Sequence, residues 1–552
     1  MLHALELENF KAFGERARIP FAPITLIFGE NSAGKSTILQ ALYLLKQTLE
    51  NRNTGAPLLP HTYNEIVDLG SFQEMLFDHD LKRTLSIRVE TTMNRSYETP
   101  QLPYKETTII VEFRFKYEEK PLLDQISIYD SKSSRCIAEF QLLNTTEEPE
   151  EFWKRMGRPP GLLDSPLPPK GSAIECVWLT EQPEYWESEF EWCKENKEEI
   201  RKQFETKKSR LKEQLRQHET DHQKGSNKQK SSNKVIREFN EWCMRQIDSL
   251  SVALKFLSLD FDLKAYIAKR REEEMNTVLW LEGPLPVLNI YDESDSFIEI
   301  SRSELYVGSN DTKVFHIAKL AIEAGKALEQ TLVDLFPIRP FRSLPQRYYI
   351  PTGTNPWQVG YWGHLLPDLL FSHPDPELVK QTNEWLKRLE IDYMLEVKKV
   401  GPDPGDPFAV RLMDIRRKEP VSVALPDVGF GISQLLPFIV QSLVSRDQII
   451  CIEQPEVHVH PKLQADLGDL LAAAIKKENP NQFIVETHSE HLILRLQRLV
   501  YKGEIKPEDV SVIYVSRGYE GAKAEHLRLD EEGDFIDEWP NGFFLERLRE
   551  LR

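Results

Sequence analysis

The 552-residue sequence has no run of about 18 consecutive apolar residues, so no membrane-spanning helix is expected. Its opening, MLHALELENFKAF, alternates charged and apolar residues and lacks the apolar core of a secretory leader. Cysteine is scarce: Cys136, Cys176, Cys193, Cys243 and Cys451 lie far apart, with no CxxC pair. Neither a disulfide framework nor a zinc site is expected, and a reducing cytoplasm is the compartment that fits. Positive charge is in deficit, with 70 Lys and Arg against 88 Asp and Glu, a formal net charge of −18. Nucleic acid is repelled on average, so contact with DNA or RNA has to use a local basic patch, which composition cannot locate. Hydrophobic residues, at 40%, are sufficient for a sizeable core. The length suits about two to four domain-sized units.

The stretch LHALELENF alternates with period two and predicts a strand. Residues 24–28 predict a second, apolar strand that runs through GENSAGKST into a helix over 38–49. Segments 84–90, 107–117, 122–130 and 136–144 are strand-like and predict an antiparallel sheet; 157–170 is Pro-rich and irregular. Over 181–257 the sequence turns charged and helical. Phe190, Cys193, Ile200, Phe204, Leu211 and Leu215 mark a rough heptad stripe, which QKGSNKQKSSNK at 223–234 interrupts. A second stripe holds Ile236, Phe239, Trp242, Ile247 and Leu250. An antiparallel helical hairpin is the economical reading; Lys at several stripe positions leaves two unpaired surface helices as the alternative. Strand-like pieces return over 277–306, followed by a helix over 313–335. After that, strands at 448–452, 482–486 and 510–515 alternate with helices at 461–477 and 489–501, a βαβ rhythm that predicts a parallel sheet.

Residues 29–36, GENSAGKS, satisfy GxxxxGK[ST] at every fixed position, with a strand before and a helix after. Gly29 and Gly34 let backbone N–H groups curl around phosphates, which then rest on the positive end of the next helix. Asn31 and Thr37 belong to the same cradle. Lys35 supplies charge to the β- and γ-phosphates, and Ser36 offers its hydroxyl to Mg²⁺.

The strand 449–453, IICIE, ends on Glu453, which is how P-loop proteins deliver a carboxylate to Mg²⁺. Gln454 and Glu456 follow, then His458 and His460. The neighbouring strand ends at THS, placing His488 within reach of a γ-phosphate or its attacking water. His458 and His460 form an HxH pattern, but no Asp/Cys cluster completes a transition-metal site, and the P-loop already accounts for a Mg²⁺ ion.

Together, LENFKAF, GENSAGKS, DVGFGISQLLP, IEQPEVHVHP and VETHSEH resemble the ABC/SMC-type ATPase superfamily, which includes RecF, Rad50, OLD-type and AAA_15/AAA_21-like prokaryotic ATPases. The ending LRLDEEGDFIDEWPNGFF resembles a subfamily with a small C-terminal domain of unknown function, and relatives recur as ATPase subunits of anti-phage systems such as Septu. The resemblance implies an α/β fold: a P-loop ABC-type head, combining a mixed sheet with a parallel core, into which a helical hairpin is inserted. The head is then divided into 1–150 and 311–505, around an insertion at 151–310 and before a small domain at 506–552. Lys35 and Ser36 become the Walker A pair, Glu453 the Walker B acid and His488 the switch histidine. Residues 427–437 take the place of the signature that reaches a partner's nucleotide, with Gly429, Gly431 and Ser433 facing it. Gln73, in DLGSFQE, is a weak Q-loop candidate for the metal, and a surface glutamine is the stronger reading.

Two departures matter. The signature reads VGFG and lacks the usual serine, leaving Ser433 or backbone N–H groups to serve. Gln454 stands where a glutamate normally polarises water; an amide orients water but does not take its proton. Either Glu456 is the base or turnover is slow. The resemblance implies ATP and Mg²⁺ as cofactors and a homodimer or larger even-numbered oligomer. It also implies a separate effector such as a nuclease, and DNA or RNA contact through a basic patch. The expected function is an ATPase whose nucleotide state controls nucleic-acid sensing or that effector, in anti-phage defence. A RecF-like repair ATPase and an ATP-locked scaffold remain alternatives. The stretch after His488 is too short for the Toprim nuclease domain of OLD-type enzymes.

Overall fold

The computed structural model describes residues 1–51, 56–62, 66–94, 106–142, 173–177 and 312–540, apart from 376 and 404. It also describes short strand pieces between 277 and 305 and isolated positions between 202 and 212. The helical hairpin expected over 181–257 lies outside the described residues, save for those isolated positions. The chain divides into two compact units, one of Met1–Glu50, Leu58–Thr91 and Glu329–Arg552, the other of Asn51–Pro57 and Thr92–Leu328. Among the described residues no helix is long and apolar enough to cross a membrane.

At the N-terminus, β1 (Leu2–Glu8) pairs antiparallel with β2 (Ala17–Pro20), ahead of β3 (Ile24–Gly29). It also pairs antiparallel with β4 (Leu85–Asn94). The alternation of β1 has its expected consequence: Leu5 and Leu7 are buried, while Glu6 meets Arg18 at 3.0 Å on the other face.

The second unit holds an antiparallel meander. Its strands, each paired with the next, are β5 (Glu106–Glu118), β6 (Lys120–Asp130), β7 (Arg135–Leu142), β8 (Ala173–Val177), β9 (Thr277–Glu282), β10 (Val287–Asp292) and β11 (Ser296–Ile298). A two-strand ladder of β12 (Ile300–Ser301) and β13 (Glu304–Leu305) follows.

In the first unit, β15 (Tyr393–Lys399), β16 (Phe408–Asp414) and β17 (Val421–Ala424) make a small antiparallel sheet. The main sheet runs β14 (Leu335–Ile338), β18 (Ile449–Glu453), β19 (Gln482–Glu486), β3, β20 (Val510–Gly518), β21 (Gly521–Leu527). Its first five strands are parallel, and only β21 is antiparallel. Parallel strands covered on both faces need near-continuous apolar sequence, which ITLIFG, IICIE and QFIVE provide. Ile24, Leu26, Ile27 and Phe28 are each fully buried, worth about 1.5–3 kcal/mol apiece. The helices Phe430–Val444, Pro461–Ala474 and Glu490–Tyr501 contribute Leu436, Leu467 and Leu496 to one core with Ile24, Leu26 and Phe28. Within segment 506–552, β20 lies beside β3 in this sheet, and Trp539 packs edge-on against Phe28, ring centroids 6.3 Å apart.

The order carries the chemistry. Because β18, β19 and β3 are parallel, their C-terminal ends share one edge, where ligands of open α/β sheets collect. Glu453 and Glu486 end adjacent strands in direct register, and the phosphate loop leaves the next one.

Candidate nucleotide site

The loop after β3 depends on its glycines. Gly29 and Gly34 sit at φ +142° and +109°, where side chains are strained. A Cβ on Gly29 would meet the Val515 carbonyl oxygen at 2.0 Å, and one on Gly34 would meet the Ala12 Cβ at 2.8 Å. The helix Lys35–Glu50 begins at the loop's end, with no acidic residue in its first turn to oppose an anion. Lys35 Nζ folds back to donate to the carbonyls of Gly29 (3.1 Å) and Glu30 (2.7 Å). Burial lowers its pKa, against the opposing pull of Glu486 and Glu456. Thr37 is buried and donates its backbone N–H to the Gly34 carbonyl at 3.1 Å.

Ser36 Oγ donates to Glu486 Oε1 at 2.9 Å. Glu486 is buried, its Oε2 has no hydrogen-bond partner among the described residues, and burial pushes its carboxyl up to about 7. Sequence reasoning passed over this residue. The available signal was that Glu486, like Glu453, is an acid closing an apolar strand.

Glu453 Oε1 accepts from Arg339 Nη1 at 3.1 Å; burial raises its pKa, with Arg339 pulling the other way. Arg342, also not anticipated, is buried and donates through Nη2 to the Glu453 carbonyl at 3.3 Å. Burial brings its pKa down to about 10. Gln454 has φ +47° and donates its backbone N–H to the Glu486 carbonyl at 2.8 Å, which tucks the turn after β18 against β19. Glu456 accepts from Thr487 Oγ1 and from the His488 backbone N–H, both at 2.7 Å. Burial raises its pKa as well, against those hydrogen bonds. It therefore staples the two strand-end loops together. Burial and the nearby Lys35 lower the His488 pKa below its usual value, so its imidazole is neutral at pH 7.

A cleft of about 560 Å³ opens here, in the size range of small-ligand sites. Asn31, Lys35, Ser36, Gln454, Glu486 and His488 line it on the strand-end side, and Lys11, Glu74, Asp78 and His79 line it elsewhere. Glu453 and Glu456 are not among its lining residues. Nor is Gln73, which sits on the short helix Phe72–Met75 and donates to the His79 carbonyl at 3.2 Å.

The signature-like segment also lies off this cleft. Gly429 caps the helix Phe430–Val444 with open space around its Cα, and Ser433 Oγ donates to the Phe430 carbonyl at 2.7 Å. Gly431 is required by packing, since a Cβ there would meet the His458 carbonyl oxygen at 2.6 Å. The two histidines of HVH have separate structural roles. His458 packs edge-on against Phe430, while His460 Nδ1 accepts from the Lys462 N–H and caps the helix Pro461–Ala474.

The side chains present fit a nucleoside triphosphate. The loop has no room for a Cβ at either glycine, Lys35 is held by backbone carbonyls, and a buried carboxylate oxygen beside Ser36 has no partner among the described residues. The AAA ATPase domain model AAA_15 matches residues 1–279 and 374–493. The chain belongs to this family. This AAA ATPase domain is also similar to solved Smc heads. One, from Pyrococcus furiosus, carries an extended coiled coil and is bound to the C-terminal domain of ScpA. It is 12% identical with a TM-score of 0.35, covering 100% of this chain and 99% of that one. A Pyrococcus yayanosii Smc head with a coiled coil and joint gives 14%, 0.34, 96% and 98%. The SMC head domain from Thermotoga maritima gives 9%, 0.33, 95% and 98%. No curated protein matches the chain.

Proposed function

We propose that this ATPase domain binds ATP with Mg²⁺ in the strand-end cleft, closes on a second copy of itself, and turns over slowly. In this reading the ATP-bound dimer controls a separate effector, such as a nuclease, in anti-phage defence. The observation that carries it is the convergence of Lys35, Ser36, Gln454, Glu486 and His488 on one cleft. When bound, Mg²⁺ supplies charge neutralisation to the phosphates. Lys35 and the loop N–H groups hold the phosphates, Gln454 orients water without accepting its proton, and neutral His488 hydrogen-bonds the γ-phosphate or that water.

Slow turnover has a specific support. Glu456, the alternative base, is engaged by Thr487 and His488 and does not line the cleft. Dimerisation is supported by the signature-like segment, where Gly429 has open space around it and does not line the chain's own cleft. Of the sequence reading's three metal candidates, Ser36 lines the cleft, whereas Glu453 and Gln73 do not.

The test is nucleotide binding together with mass in solution. The protein bound to ATP and Mg²⁺ should run as an even-numbered assembly by light scattering, and Lys35→Ala should lose both ATP retention and that assembly. Normal ATP affinity in folded Lys35→Ala refutes the site, and a strictly monomeric active ATPase refutes the dimer.

A further inference from the structure

We infer that Glu486, at the end of β19, is the carboxylate that faces the Mg²⁺ of bound ATP, in place of Glu453. The inference rests on the nucleotide reading above and sharpens it. Both acids end neighbouring strands in register, so position along the sheet does not separate them. Their surroundings do. Glu453 is paired with a guanidinium, Arg339 at 3.1 Å, and its side chain does not line the cleft. Glu486 lines the cleft, has only 3% of its surface exposed, and shares the Ser36 hydroxyl that the P-loop pattern assigns to the metal.

Its second oxygen decides the matter. Glu486 Oε2 is buried and has no hydrogen-bond donor among the described residues. A buried carboxylate oxygen left unpaired is costly, and a hard divalent cation satisfies it better than any neutral donor. Lys35, a cation lining the same cleft, is held by the Gly29 and Glu30 carbonyls. Ser36 and Glu486 thus present a hydroxyl and a carboxylate side by side, oxygen ligands of the kind Mg²⁺ takes next to phosphates. Arg339 meanwhile makes Glu453 a poor ligand, because a cation placed there would have to displace or oppose the guanidinium.

Equilibrium ATP binding, measured by calorimetry on the full chain with Mg²⁺ and again with EDTA, tests this without reference to turnover. The unsubstituted protein should bind ATP more tightly with Mg²⁺. Glu486→Gln should shrink that Mg²⁺-dependent gain by about tenfold or more, with ATP affinity in EDTA unchanged or higher. Glu486→Asp, which keeps the charge, should restore part of the gain, and Glu453→Gln should keep most of it. Thermal melting without nucleotide establishes that each variant is folded; if Glu453→Gln is not, the two Glu486 variants decide alone. A full Mg²⁺ gain in Glu486→Gln overturns this inference while leaving ATP binding intact. Failure of the unsubstituted protein to bind ATP overturns the underlying reading, and this inference with it.

Discussion

Replacing Glu486 by glutamine should stabilise the nucleotide-free protein at alkaline pH and do little in acid. Burial raises this carboxyl from its ordinary 4.5 to about 7. A group whose pKa is raised on folding lends stability below its unfolded pKa and loses it as pH climbs through its folded pKa. A shift of about 2.5 units at about 1.36 kcal/mol each makes the ionised side chain cost the fold about 3 kcal/mol above pH 7. At pH 5 the same linkage leaves about 1 kcal/mol. Glutamine has the same shape, carries no charge, and can still accept from Ser36 Oγ, now 2.9 Å from Oε1. Glu486→Gln should therefore melt higher than the parent by roughly 6 °C at pH 8.5, taking about 2 °C per kcal/mol for a domain of this size, with a much smaller difference at pH 5. Differential scanning fluorimetry in EDTA, without nucleotide, measures both. A variant that melts lower at pH 8.5, or whose advantage does not depend on pH, refutes the reasoning. Either outcome would mean that Glu486 is not a buried, poorly solvated acid.

Gln454→Glu adds a carboxylate at a residue lining the cleft, and a positioned general base typically contributes about 10²–10⁴-fold, so phosphate release should rise substantially. No change in Gln454→Glu, together with loss of hydrolysis in Glu456→Gln, would instead assign the base to Glu456. Gly29→Ala drives a Cβ to 2.0 Å from the Val515 carbonyl at φ +142°, and should destabilise by more than about 2 kcal/mol, read as a lower melting temperature. Thr487→Val removes the hydroxyl donor to Glu456 Oε2 and leaves that carboxyl oxygen underbonded, at a cost of about 1–3 kcal/mol in denaturant unfolding.

The sequence alone was sufficient for whatever depends on neighbouring residues. The apolar runs behind β3, β18 and β19 read as buried strands because burial on both faces demands such runs. Gly29, Gly34, Lys35 and Ser36 read as a phosphate loop because the cradle is made by consecutive residues. His488 was legible for the same reason, as the residue just beyond a strand's end. What the tertiary structure decided is which strand ends meet. Ser36 and Glu486 are 450 positions apart, and only the sheet order, with β19 between β18 and β3, puts the acid on the hydroxyl. Glu453 and Glu486 look alike as sequence, each an acid closing an apolar run. They differ because Arg339, delivered by the segment after β14, pairs with the first and leaves the second with a bare oxygen. Glu456, which the sequence left as the alternative to slow turnover, joins two loops through Thr487 and His488, partners that arrive from another strand. Local pattern names the side chains that can do the chemistry, and long-range packing assigns each its partner, because a carboxylate's behaviour depends on which charge and which donors share its burial.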